Sequence, residues 1–87
     1  MTTFAVQRTL TGITMDQLGQ AQKAAIDCSA AMTADGSKVR YIRSNFYPAT
    51  QHCTCLFEAG NAVDVRRLNE TAKLPFDRIE EVLDLNP

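Results

Sequence analysis

Apolar and polar residues alternate near the start of the chain. Phe4, Val6 and Leu10 fall on one face, and Thr3, Ala5, Gln7 and Thr9 on the other. A period of two marks a half-buried strand, and Gly12 breaks it. The period then lengthens. Leu18, Ala21, Ala25, Cys28 and Met32 recur at spacings of three and four, which is the stripe of an amphipathic helix. Thr14 stands three residues before Gln17 and follows Ile13. That predicts a capping box, with Ile13 packing on Leu18 as a staple. The stripe is mostly small, which suits a helix lying close on a sheet. Gly19 inside this helix costs roughly 1 kcal/mol relative to Ala. Asp35-Gly36 ends the segment with turn chemistry.

Val39 to Tyr47 is rich in aromatic and β-branched residues and predicts a second strand. Pro48 to Gln51 makes a loop and His52 to Glu58 a third strand, so the two form a hairpin. Asn61 is a good N-cap for a second helix, with Asp64 favouring its N-terminus. Ala62, Val65, Leu68 and Ala72 give its stripe, with Asn69 as an alternative to Leu68, and Leu74-Pro75 stops it. Ile79 to Leu85 reads as a fourth strand. The order β-α-β-β-α-β is the split βαβ arrangement, an α+β ferredoxin-like fold with a four-stranded antiparallel sheet and two helices on one face.

The hairpin assigns the faces. A four-residue loop sets Tyr47 opposite His52, and the pairing continues as Asn45–Thr54, Arg43–Leu56 and Tyr41–Glu58. Ile42, Ser44, Phe46, Cys53, Cys55 and Phe57 then lie under the helices. Tyr41, Arg43, Asn45, Tyr47, His52, Thr54, Leu56 and Glu58 collect on the open face. A one-residue slip would mix the two sets, so the pattern supports this register.

The totals narrow the classes. Eighty-seven residues predict one domain, 1–87, with a core too small to be more than marginally stable on its own. Hydrophobic residues at 45% and charged ones at 22% suit a folded, soluble domain rather than a disordered one. Nine Lys+Arg against ten Asp+Glu argue against a nucleic-acid partner held by charge and against a polybasic membrane anchor. No apolar run approaches the ~20 residues of a membrane span, and the first residues do not read as a secretory signal. Cys28, Cys53 and Cys55 make an odd count, a poor disulfide framework that predicts reduced thiols and a cytoplasmic location.

Candidate chemistry gathers in two places. His52-Cys53-Thr54-Cys55 looks like a metal site, with His52, Cys53 and Cys55 as its candidate ligands. Against that, the register sends both thiols into the core, where cysteine behaves as a small hydrophobe, and sends His52 to the other face. Two copies meeting across a dimer would still offer two imidazoles to one metal. The second place is the row Tyr41, Arg43, Asn45 and Tyr47, with His52 and Glu58 beside it. This row reads either as a ligand wall or as a polar dimer interface. Arg43 needs an acceptor, which is Glu58 across the hairpin or an anionic ligand. There is no Gly-rich phosphate loop and no Ser-His-Asp set.

Arg43-Ser44, Pro48, Cys53-Thr54-Cys55-Leu56-Phe57-Glu58-Ala59, Val65-Arg66 and Leu74-Pro75-Phe76-Asp77-Arg78-Ile79 resemble a family of small bacterial domains of unknown function. One branch of that family is described as nickel-binding. The resemblance covers nearly the whole chain. It implies a ferredoxin-like fold and a homodimer of the dimeric α/β-barrel type, and it makes nickel or another transition metal the expected ligand. The leading expectation is a non-enzymatic binding protein acting as a homodimer. The alternatives are a cofactor-free enzyme or small-molecule carrier using the open-face cavity, with His52 as general base, and a structural or regulatory dimer.

Overall fold

Thr14 caps the first helix as its spacing predicts. Its side chain accepts from the Gln17 amide at 3.1 Å, and Gln17 Oε1 accepts from the Thr14 amide at 3.0 Å. Asn61 caps the second helix, its Oδ1 accepting from the Asp64 amide at 2.9 Å. In this computed structural model residues 1–85 and 87 are described. The elements run β1 (Thr2–Thr9), α1 (Met15–Ala34), β2 (Val39–Tyr47), β3 (His52–Ala59), α2 (Ala62–Thr71) and β4 (Arg78–Val82). The sheet order is β2-β3-β1-β4, with every neighbouring pair antiparallel. This is the ferredoxin-like fold.

The core lies between the sheet and the helices. Phe4 and Val6 of β1, Cys53, Cys55 and Phe57 of β3, Ala25 of α1, and Val65 and Leu68 of α2 are all buried. Both alternatives for the stripe of the second helix turn inward: Leu68 and Asn69 are each fully buried. Ala62, predicted in the same stripe, is exposed.

Two expectations change. β4 ends at Val82, not Leu85, and Leu83 and Leu85 are exposed. The hairpin pairs Tyr47 with His52, Asn45 with Thr54 and Arg43 with Leu56 as predicted, but a bulge at Ile42 then shifts the register, so Tyr41 lies opposite Phe57 and not Glu58. An extra residue in one strand reverses which face the following residues take. Tyr41 therefore turns under the helices, its ring edge-on to Phe57 at 5.6 Å. Arg40 takes its place opposite Glu58.

Candidate functional site

The period-two pattern of β1 carries a charge inward. Arg8 shares the face of Phe4 and Val6, sits opposite Cys53, and is only 3% exposed. Its Nε donates to Cys55 Sγ at 3.4 Å and its Nη1 to the Pro75 carbonyl at 3.2 Å. Nη2 is buried without a hydrogen-bond partner. The sequence pattern contains this signal, because Arg8 falls on the beat between Val6 and Leu10, although its charge is not one of the apolar positions that mark the strand.

Thr54 separates Cys53 from Cys55, so both thiols point the same way, with their sulfurs 3.9 Å apart. Ser44 faces Cys55 across the hairpin, and its Oγ lies 3.0 Å from Cys55 Sγ. The Tyr41 hydroxyl sits 2.6 Å from Ser44 Oγ and accepts from Gln22 Nε2 of α1 at 3.1 Å. In a regular strand, residues three apart point to opposite faces. The bulge at Ile42 puts both Tyr41 and Ser44 inside.

These neighbours separate the two thiols electrically. Cys55 is lowered to about 5, first by its hydrogen bond with Cys53, then by the charge of Arg8 and the bonds from Ser44 and Arg8, which together outweigh its burial. Cys53 is pushed the other way, first as the proton-bearing partner of Cys55 and then by burial. The proton of the pair is thus favoured on Cys53 over Cys55, on whose sulfur Arg8 places its Nε–H. Beside it, between α1 and the sheet, lies a cavity of about 210 Å³. Its lining includes Arg8, Ser44, Cys53 and Cys55 together with apolar Leu10, Leu18, Phe46 and Leu74.

The open face has a different character. His52 Nε2 lies 2.6 Å from Gln7 Oε1, which also accepts from Thr54 Oγ1 at 2.8 Å. Tyr47 stands beside the imidazole with ring centroids 5.9 Å apart, and Asn45 is exposed opposite Thr54. Glu58 is bound by Arg40 at 2.7 Å and so does not serve Arg43. Arg43 pairs instead with Asp84 at 2.9 Å. β2 and β4 are the outer strands of the sheet, so this pair draws the segment after β4 back over the face, where Ala5 and Leu56 are buried. That contact runs between distant parts of the chain, which hairpin pairing alone does not reach.

The predicted residues thus divide. Arg43, Asn45, Tyr47, His52 and Glu58 share the open face, while Tyr41 joins the inner site. Cys53 and Cys55 face away from His52, so the three metal candidates do not form one ligand set. Among the described residues no three His, Cys, Asp or Glu side chains converge around a metal position. A dication at the thiol pair would have to share its thiolate with a buried guanidinium, an unfavourable contact of like charges. No helix among the described residues is long and apolar enough to cross a membrane.

Residues 4–82 match the family model described as nickel responsive protein SCO4226-like. Among solved structures, the chain is similar to the crystal structure of SCO4226 from Streptomyces coelicolor A3(2). The two share 33% identity over 95% of this chain and 99% of the other, with a TM-score of 0.77. No curated protein matches.

Proposed function

The chain belongs to the SCO4226-like family, and on that premise we propose that it is a non-enzymatic binding protein, working as a homodimer, that takes a metal ion at its open sheet face. The family's description names nickel. The observation that carries this reading is how His52 is held. With Gln7 Oε1 as acceptor, the imidazole keeps its proton on Nε2 and its lone pair on Nδ1. A metal-binding histidine is commonly oriented in this way, by donating its other N–H to a fixed oxygen, and neutral imidazole suits nickel. One His52 is a poor site. Two open faces meeting would bring two imidazoles to one ion, and Tyr47 and Arg43 are residue types enriched where proteins meet. A chain of this size also gains stability from a second copy.

The test uses protein purified without an affinity tag. Light scattering at micromolar concentration should give a dimer mass, and nickel titration should saturate at one ion per two chains. His52→Ala should abolish nickel uptake, and Cys53→Ser and Cys55→Ser should leave it intact. A monomer mass with an intact fold overturns the dimer. Nickel uptake that survives His52→Ala, or no uptake by the wild type, overturns the metal site.

A further inference from the structure

Two thiols, a buried guanidinium and a cavity meet on the side of the sheet away from His52, and nothing in the open-face reading uses them. Cys53 and Cys55 stand two apart on β3, so their side chains project to the same side, with the sulfurs 3.9 Å apart. A metal–sulfur bond is about 2.3 Å long, so two such bonds to one ion reach across that gap. Both residues line the cavity of about 210 Å³ beneath α1, which gives an ion room to arrive. Met15 lines the same cavity and is 77% exposed. That places a thioether where the cavity meets solvent. Thiolates and thioethers are soft donors, the kind that select copper(I).

Arg8 decides the charge of the ion. Its guanidinium is buried, and among the described residues no carboxylate pairs with it. Its Nε–H points at Cys55 Sγ. A buried cation without an anion is costly, so an ion held by the two sulfurs has to leave them negative. A divalent ion bound by two thiolates makes a neutral unit and leaves Arg8 without a counter-charge. A monovalent ion bound by two thiolates keeps one negative charge, which matches the one positive charge of Arg8. The number of donors agrees with the charge. Zinc takes four ligands, and among the described residues no third His, Cys, Asp or Glu joins the pair. Copper(I) is held by two sulfurs alone. We propose that Cys53 and Cys55 form a copper(I) site beneath α1, with Arg8 as its counter-ion and as hydrogen-bond donor to Cys55 Sγ.

Binding balances in protons and charge. Each thiol releases its proton to water, each sulfur donates a lone pair to the ion, and no electron changes hands. Ser44 Oγ lies 3.0 Å from Cys55 Sγ, so its O–H is placed to donate to the metal-bound sulfur beside the Arg8 Nε–H. Donors of this kind hold metal ligands in position.

The experiment titrates the reduced, untagged chain into copper(I) bicinchoninate without oxygen and follows the loss of that complex's colour. The chain should withdraw one copper(I), and X-ray absorption of the loaded wild type should show copper with two sulfur neighbours. Cys53→Ser and Cys55→Ser should each abolish the uptake, with circular dichroism checking the fold, and His52→Ala should leave it intact. Nickel and zinc should not displace the copper. Arg8→Met, which keeps much of the stem and removes the charge, should weaken copper(I) binding about 10–100-fold. No uptake by the wild type, uptake that survives either serine variant, or a copper spectrum without two sulfurs overturns the proposal. So does stoichiometric zinc uptake at the same cysteines, or copper affinity unchanged in a folded Arg8→Met, since either removes the charge match that selects the ion. The spectrum is read on the wild type, so a serine variant that fails to fold does not shield the site from refutation.

Discussion

Arg8 is the residue whose surroundings most depart from its type, a buried guanidinium on the inward face of β1 that Phe4 and Val6 share. Its Nε and Nη1 donate to Cys55 Sγ and the Pro75 carbonyl, and the lowering of Cys55 beside it makes stability depend on pH. Cys55 has an ordinary value of 9.0 when unfolded and about 5 when folded. Between those values the unfolded chain binds a proton that the folded chain does not, so stability rises with pH. The contribution is fully present above 9.0 and is lost as pH falls through about 5. Cys53, shifted upward, works in the opposite sense: its contribution is present below 9.0 and declines as pH rises past it. The gap in melting temperature between wild type and Cys55→Ser should therefore change steadily from pH 5 to 9, in favour of the wild type. Parallel melting curves over that window would contradict a folded-state thiolate. On the other face, Gln7→Leu removes the acceptor that orients His52. If the open-face metal site is correct, nickel affinity should fall about 10–100-fold, as when other metal-bound histidines lose such partners.

Among the elements, β2 carries the decisive irregularity. A regular strand would send Tyr41 to the open face, where the alternating pattern predicts it. The bulge at Ile42 brings it beneath α1, where it bridges Gln22 and Ser44. This makes the hydroxyl of Ser44 part of a chain of hydrogen bonds running from α1 to Cys55. Tyr41→Phe should cost about 1 kcal/mol, the usual worth of such a bond, as measured by urea unfolding, and should also slow modification of Cys55 by loosening Ser44. A loss of stability with no change at the thiol would show that Ser44 is held by Cys55 alone. The start of α1 is a separate matter. Thr14→Ala removes the cap of a 20-residue helix and should cost about 0.5–2 kcal/mol, with no effect on thiol reactivity.

For the molecule as a whole, two helices on one side of a four-stranded sheet leave the other side to be covered by something else. The segment after β4 covers part of it, held by Arg43 and Asp84. The pair is partly exposed, so Asp84→Asn should cost only about 0.2–1 kcal/mol. The rest of the face is the surface proposed to meet a second copy. Mass action then requires the melting temperature to rise with protein concentration. A melting temperature that stays constant over a hundredfold dilution would argue for a monomer.

The order of elements, both helix caps and most of the hairpin register were legible in the chain, because period, capping and loop length act over a few residues. The same local rules place Cys53 and Cys55 together inside and His52 outside, and so separate the metal candidates. Tyr41 departs from its alternating pattern because a bulge leaves no mark in that pattern, and the strand's partner decides where the extra residue goes. Arg8 was in phase with the core from the start. What makes that position tolerable is the Cys55 sulfur 47 residues away in sequence and the Pro75 carbonyl beyond α2. Arg43 likewise found its acceptor 41 residues on. Charge compensation between distant segments depends on where the folded chain brings them, and only the tertiary structure decides that.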